Sequence, residues 1–245
     1  MNAYKILPLI LFALPVAAIA EDFQPRLVPA GVNLVQLQKQ ETAGRTPEEV
    51  REMNRRELRS LPSEVPFEAV YRSSFRNLIR SHNFHPIIGP EVVEDYQQSN
   101  TSIGYCFGRA YYFHRSLKML GVTDRAIKKA WIVGKIGKNW EFHVATIVRG
   151  EDGEWYALDT LSDSWASGVT VKDWYESWME ESSATTRLYI TDADKFTASL
   201  GTYDPVQLGY GLDRRADWYK NYFIDLDFWF DSQGAMPYFR KMGLN

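Results

Sequence analysis

The chain has 245 residues, enough for one ordinary domain or one domain with a small appendage, and 45% hydrophobic and 14% aromatic residues to build a core. A formal net charge of −3 gives no electrostatic case for binding nucleic acid or an anionic membrane. With a single cysteine, Cys106, no internal disulfide can form, so packing alone must stabilise the fold.

Residues 1–20 carry Lys5, then an apolar run from Ile6 to Ala17 broken only by prolines, then Ala18-Ile19-Ala20 ahead of Glu21-Asp22. That pattern predicts a secretory signal removed on export. The run is short of the roughly 20 apolar residues of a membrane span, and no cysteine at the cleavage point suggests a lipid anchor. The expected mature chain is soluble, and periplasmic or secreted.

Residues 21–45 read as polar and irregular, with Pro25 and Pro29. Thr46-Pro47-Glu48-Glu49 then predicts a helix start: Thr46 caps, Pro47 takes the first turn where its missing N–H is harmless, and Glu49 completes a capping box. The helix should run to about Leu61, before Pro62, with a thin stripe of Val50, Met53, Leu58 and Leu61. Two readings stay open for 21–65: a surface extension, or a pro-segment that covers the active site until it is cleaved. Residues 66–245 form the expected main domain.

A second helix is expected over about 66–82, with Phe67, Val70, Phe75, Leu78 and Ile79 inward, followed by a loop at Pro86 and Pro90 and a short helix near 91–98. A polar stretch from Gln97 to Ser102 leads to a helix over 104–120, which Thr101 or Ser102 can cap. Phe107, Ala110, Tyr111, Phe113, Leu117 and Leu120 share its broad apolar face, and Gly121 stops it. Ala130–Ile136, Trp140–Val148 and Glu154–Asp159 read as strands. After them come a Trp-rich helix (about 170–181), a strand (186–191), a short helix near 192–200 and an aromatic tail. The fold class is α+β.

Cys106 falls in the first turn of its helix. In an exported chain a lone thiol is a small buried group, an intermolecular link or a nucleophile. The unpaired N–H groups and positive dipole end of a helix start favour a thiolate, which makes nucleophilic chemistry the reading to weigh. His143 lies within a strand. If Val148 pairs with Glu154 across a loop of residues 149–153, His143 falls opposite Asp159, with Cβ atoms about 4.5–5.5 Å apart. An acid there can hold one imidazole tautomer and stabilise its charged form, whereas a slip by one residue would separate the two side chains onto opposite faces.

Other constellations are weaker. His82 and His85 stand beside Pro86 without evident partner ligands, so they read as loop histidines rather than a metal site. His114 reads as a packing residue, and Asp225 and Asp227 lack the glycine and distal glutamate of a calcium loop. No metal or organic cofactor is expected. The aromatic residues between Trp218 and Phe230 read as core, or as an aromatic wall beside a cleft.

Cys106-Phe107-Gly108-Arg109-Ala110, Trp140-Glu141-Phe142-His143-Val144-Ala145 and Leu158-Asp159 resemble, in order, motifs of the secreted bacterial protein-glutaminases. Gly168-Val169-Thr170 and Trp174 resemble the segment that follows in that family. The resemblance covers roughly residues 100–178. It departs at Thr160-Leu161, where the family has Pro-Ser, and in having no disulfides.

The resemblance implies a transglutaminase-like core, in which a helix bearing the cysteine at its N-terminus packs on an antiparallel sheet bearing the histidine and aspartate. By the same resemblance Cys106 is the nucleophile, His143 the general base and acid, and Asp159 the orienting acid. The substrate is a protein or peptide with an exposed glutamine, deamidated to glutamate and ammonia. Gln98 and Asn100, just upstream, are candidates for completing the oxyanion site, and Trp140 for contacting substrate. The family is made with a pro-region, which directs attention to 21–65 as a possible internal partner. The rivals are a transglutaminase, a cysteine protease of the same fold, and a non-catalytic domain that keeps the fold without the reaction.

Overall fold

The computed structural model describes residues 28–29, 31–63, 70–89, 106–137, 140–198 and 217–244. The expected signal at 1–20, the short helix near 91–98, the polar approach to Cys106, and Gln98 and Asn100 within it lie outside the described residues. Among the described residues no helix is long and apolar enough to cross a membrane.

The architecture is α+β. Five strands, β1 (Ile127–Ile136), β2 (Trp140–Arg149), β3 (Trp155–Leu158), β4 (Val169–Thr170) and β5 (Arg187–Asp192), form one antiparallel sheet in the order β4-β3-β2-β1-β5. Period-2 alternation gives the sheet two buried faces. Trp131, Val133, Val144, Val148, Tyr156, Leu158 and Tyr189 share one apolar cluster with the helices α3 (Arg72–Asn83), α4 (Cys106–Met119), α6 (Asp217–Asp231) and α7 (Ala235–Lys241). Ala130, Ile132, Ala145, Ile147, Ala157, Leu188 and Ile190 pack on the other side against α5 (Val171–Glu180).

The expected helix over 46–61 is α2 (Pro47–Arg59), and its start is as the sequence indicates. Thr46 Oγ1 accepts from Glu49 N at 3.3 Å while Thr46 N donates to Glu49 Oε2 at 2.7 Å, so the capping box closes in both directions. The irregular reading of 21–45 is corrected by a further helix, α1 (Leu34–Thr42), capped by Asn33, whose side chain accepts from Gln36 N at 3.0 Å. Its buried positions are Leu34, Gln38 and Thr42, two of them polar, so no hydrophobic period announces it.

Both helices seal the free edge of β5. Asn54 Oδ1 accepts from Leu188 N at 2.9 Å and also from Arg187 Nη1, and Asn54 Nδ2 donates to Thr186 O at 3.0 Å. Ile190 N donates to Glu57 Oε1 at 2.8 Å. From α1, Gln38 Nε2 reaches Thr185 O at 2.8 Å, and Glu41 accepts from Arg187 and Tyr189. Val28 bridges to Thr191 at this edge, its N donating to Ile190 O at 3.5 Å, and along the rest an amide and a carboxylate take the place of a neighbouring strand, satisfying backbone groups that burial would otherwise orphan.

The expected helix near 192–200 is not present over the described residues 193–198. Lys195 N closes a turn onto Asp192 O at 3.2 Å, and the chain is then held against the segment before α1. There Lys195 Nζ donates to Val32 O at 2.8 Å and Leu34 N donates to Ala198 O at 2.7 Å. Phe196 and Ala198 are buried as a result.

Helix α4 ends as expected at Gly121, whose φ of +85° lets Val122 N return to Leu117 O at 2.9 Å. Its N-terminal half packs on α6. Phe107 stacks on Phe223 with ring centroids 5.8 Å apart, and a Cβ on Gly108 would lie 2.7 Å from the Tyr222 hydroxyl. A larger residue at 108 would therefore have to displace the Tyr222 ring that α6 lays against the helix carrying Cys106.

Candidate active site

The hairpin of β2 and β3 places the histidine and the aspartate, in a register that differs from the expected one. Val148 stands opposite Tyr156, not Glu154, and Thr146 opposite Leu158. The turn is closed by Gly150 N donating to Glu154 O at 2.7 Å. The difference is two residues, an even number, so His143 and Asp159 still fall on the same face.

His143 Nε2 and Asp159 Oδ2 are 2.6 Å apart, and both side chains are buried. Trp174 Nε1, from α5, donates to the same Oδ2 at 2.9 Å, and Leu161 N donates to Oδ1 at 3.2 Å. With Nε2 committed as donor to a carboxylate, the neutral imidazole carries its lone pair on Nδ1.

Cys106 reaches this ring from the opposite layer. It belongs to the apolar cluster under α4, whereas His143, paired with Ile132, lies on the α5 face. Strand β3 stops at Leu158, opposite Thr146, so its pairing ends three positions short of His143. The start of α4 meets the imidazole beyond that end. Cys106 is among the groups that raise the pKa of the ring, while among the described residues Nδ1 makes no hydrogen bond. Catalytic hydrogen bonds are often loose without substrate.

The electrostatics divide in a consistent direction. Burial alone would keep Asp159 protonated, but the His143 charge and hydrogen bond, Arg109 and the Trp174 N–H together hold its carboxyl well below the usual range. Burial alone would keep His143 neutral, but Asp159 and then Cys106 outweigh it and raise its pKa above the ordinary value. Arg109, three residues beyond Cys106 and so on the same side of α4, is half-buried, and among the described residues its Nη2 has no hydrogen-bond partner.

His143 is ringed by indoles. Its ring centroid lies 4.3 Å from that of Trp178, 5.7 Å from Trp140 and 5.8 Å from Trp174. Trp140 is thus beside the imidazole, as a substrate-contacting residue would need to be. It also lines a cavity of about 560 Å³ with Leu161, Ser162, Trp165, Trp178 and Glu181. A cavity of about 710 Å³ lies elsewhere, on His114, Lys118, Lys128 and Asp192, and includes none of Cys106, His143 and Asp159. Its two lysines are already paired, Lys118 to Asp124 and Lys128 to Asp192, each at 2.7 Å.

The thiol itself is covered: Cys106 is 4% exposed and His143 0%.

His82 and His85, read from sequence as loop residues, are core residues. His82 is in the last turn of α3 and His85 follows it, and both are buried among aromatic rings. Burial pushes each down to about 3, with Arg109 adding to the effect on His82. Among the described residues no group of three or more His, Cys, Asp or Glu side chains could hold a metal ion.

Trp174 enters the sequence reading only as part of the motif resemblance and Trp178 only within a Trp-rich helix, although their spacing of four on one helix puts both on the face turned to His143. Comparison with protein-family models, curated proteins and solved structures returned no match to this chain.

Proposed function

We propose that Cys106, His143 and Asp159 form a nucleophilic acyl-transfer centre in an exported cysteine hydrolase, with the carboxamide of a glutamine side chain as substrate. The supporting observation is the 2.6 Å contact of His143 Nε2 with Asp159 Oδ2, which leaves Nδ1 as the basic atom on the side of the thiol. The motif resemblance to protein-glutaminases, and an α+β fold with Cys106 at the start of a helix and His143 on an antiparallel sheet, support the same chemistry.

In this reading His143 Nδ1 takes the Cys106 proton as sulfur attacks the amide carbon. The nitrogen leaves as ammonia with that proton, and a thioester remains. Water then attacks the thioester, passing a proton to Nδ1; carbon–sulfur cleavage returns the thiol and releases glutamate. Asp159 holds the imidazole and its charge throughout. The deciding experiment incubates the exported-form chain with casein or a glutaminyl peptide and reads ammonia release together with amide-to-acid conversion by mass spectrometry. Amine-dependent crosslinks would assign a transglutaminase, and peptide-bond cleavage a protease.

One observation favours a second reading, a non-catalytic domain: the burial of Cys106. There the thiol packs beside a buried imidazole–carboxylate pair as part of the structural core, and no amide of any protein substrate is turned over.

A further inference from the structure

The cavity beside His143 has a chemistry of its own. Three of its walls are indoles, Trp140, Trp165 and Trp178, with ring centroids 5.9 Å apart for Trp140 and Trp178 and 6.3 Å for Trp165 and Trp178. All three are half-buried, and the volume of about 560 Å³ exceeds what one amino-acid side chain fills. Among the described lining residues Glu181 is the one charged group, and it makes no ion pair. The chain's own guanidinium groups sit over Tyr156, Phe84, Phe230, Trp155 and Tyr189, and among the described residues none sits over these three indoles.

Electron-rich indole faces attract a cation most strongly where it is partly desolvated, and an unpaired carboxylate at the same cavity adds charge selectivity. A purely apolar side chain would gain from the indoles but nothing from Glu181. We propose that this pocket is a binding subsite for an organic cation, the alkylammonium side chain of a lysine in the substrate peptide. Trp178 and Trp140 face both the pocket and the imidazole, so the lysine would sit next to the residue that is processed. The cation site stands on the pocket alone; its assignment to a substrate residue rests on the acyl-transfer reading above.

The test titrates the full chain with N-acetyl-lysine methylamide and, separately, with its neutral counterpart N-acetyl-norleucine methylamide, following tryptophan fluorescence. Saturable binding of the lysine compound and none of the norleucine compound is expected. Glu181→Gln, a change at an exposed side chain, should weaken the lysine compound by about tenfold, and Glu181→Lys should abolish its binding. Equal binding of the two compounds, no binding of either, or indifference to both Glu181 variants would overturn the proposal. Butylamine supplies the second arm: binding as tight as that of the lysine compound would make the occupant a free amine and overturn the peptide assignment. Ammonia release from glutaminyl peptides with lysine or norleucine as neighbour is read in parallel. A lower KM with lysine, erased by Glu181→Gln, is expected, and equal KM values overturn the peptide assignment. Loss of ammonia release from every peptide would instead remove the acyl-transfer reading and leave the titration to decide the cation site.

Discussion

Asp159 holds His143 by a diagonal contact. The strand pairing sets Thr146 across from Leu158, so Asp159 lies two residues short of the position directly opposite His143, and its carboxylate reaches back to Nε2 at 2.6 Å. The same oxygen takes the Trp174 N–H, which fixes its direction. Asp159→Asn keeps an acceptor for these donors but removes the charge and allows the opposite imidazole tautomer. If the row is catalytic, kcat should fall by about 10³- to 10⁴-fold with the urea midpoint close to the parent's. Rates of ammonia release beside denaturation curves check this, and an unchanged kcat would take Asp159 out of the mechanism.

Cys106 at 4% exposure ties reactivity to opening. Alkylation by iodoacetamide in native buffer should be slow relative to the urea-unfolded chain, yet faster than global unfolding. A glutaminyl peptide should change the rate, because it engages the opened form. Labelling that proceeds only as fast as the protein unfolds would favour the non-catalytic domain.

Asn54 is the largest single polar anchor of the β5 edge, bonded to Leu188 N, Thr186 O, Arg187 and the Tyr175 hydroxyl. Asn54→Ala leaves several buried polar groups without partners and should cost about 2–4 kcal/mol by urea denaturation. For the same reason a chain beginning at Pro66 should lose its cooperative unfolding transition rather than gain activity. A folded, more active product would establish 21–65 as a removable pro-segment.

Acid should weaken the fold before the carboxylates titrate. His82 and His85 are neutral when folded, with values near 3, and take up protons when unfolded, near 6.5. Their contribution is complete above about pH 6.5 and is lost as the pH falls towards 3, at up to ~1.4 kcal/mol per pH unit for each. His143, raised in the folded state, works the other way: its contribution is present below its unfolded pKa and disappears as the pH rises through the folded one. His114, pushed down to about 4 by burial, works in the same sense as His82 and His85, and these three groups against one predict a lower urea midpoint at pH 5 than at pH 7, and a smaller difference in His85→Gln. Equal midpoints at the two pH values would contradict the assignment.

Much of the scaffold is legible where local chemistry decides it. Thr46 with Glu49 starts α2, Gly121 ends α4, and the apolar runs before and after Trp140 become β1 and β2. What escapes is decided at long range. The buried stripe of α1 is polar because Gln38 bonds to the turn before β5, so amphipathicity is silent there. The hairpin register depends on a bond between Gly150 and Glu154 that loop composition does not specify. The order Cys106, His143, Asp159 is visible in sequence. That Trp174 would grip Asp159, and that Trp178 would lie against His143, follows only once α5 is laid over the sheet.

The cover on β5 has a temporal consequence. Helices α1 and α2 precede that strand in the chain, so during synthesis Asn54 and Glu57 leave the ribosome long before Leu188 and Ile190. The strand need never wait bare for its partner, and a nascent chain is spared an interval in which another molecule could add to that edge and seed a fibril.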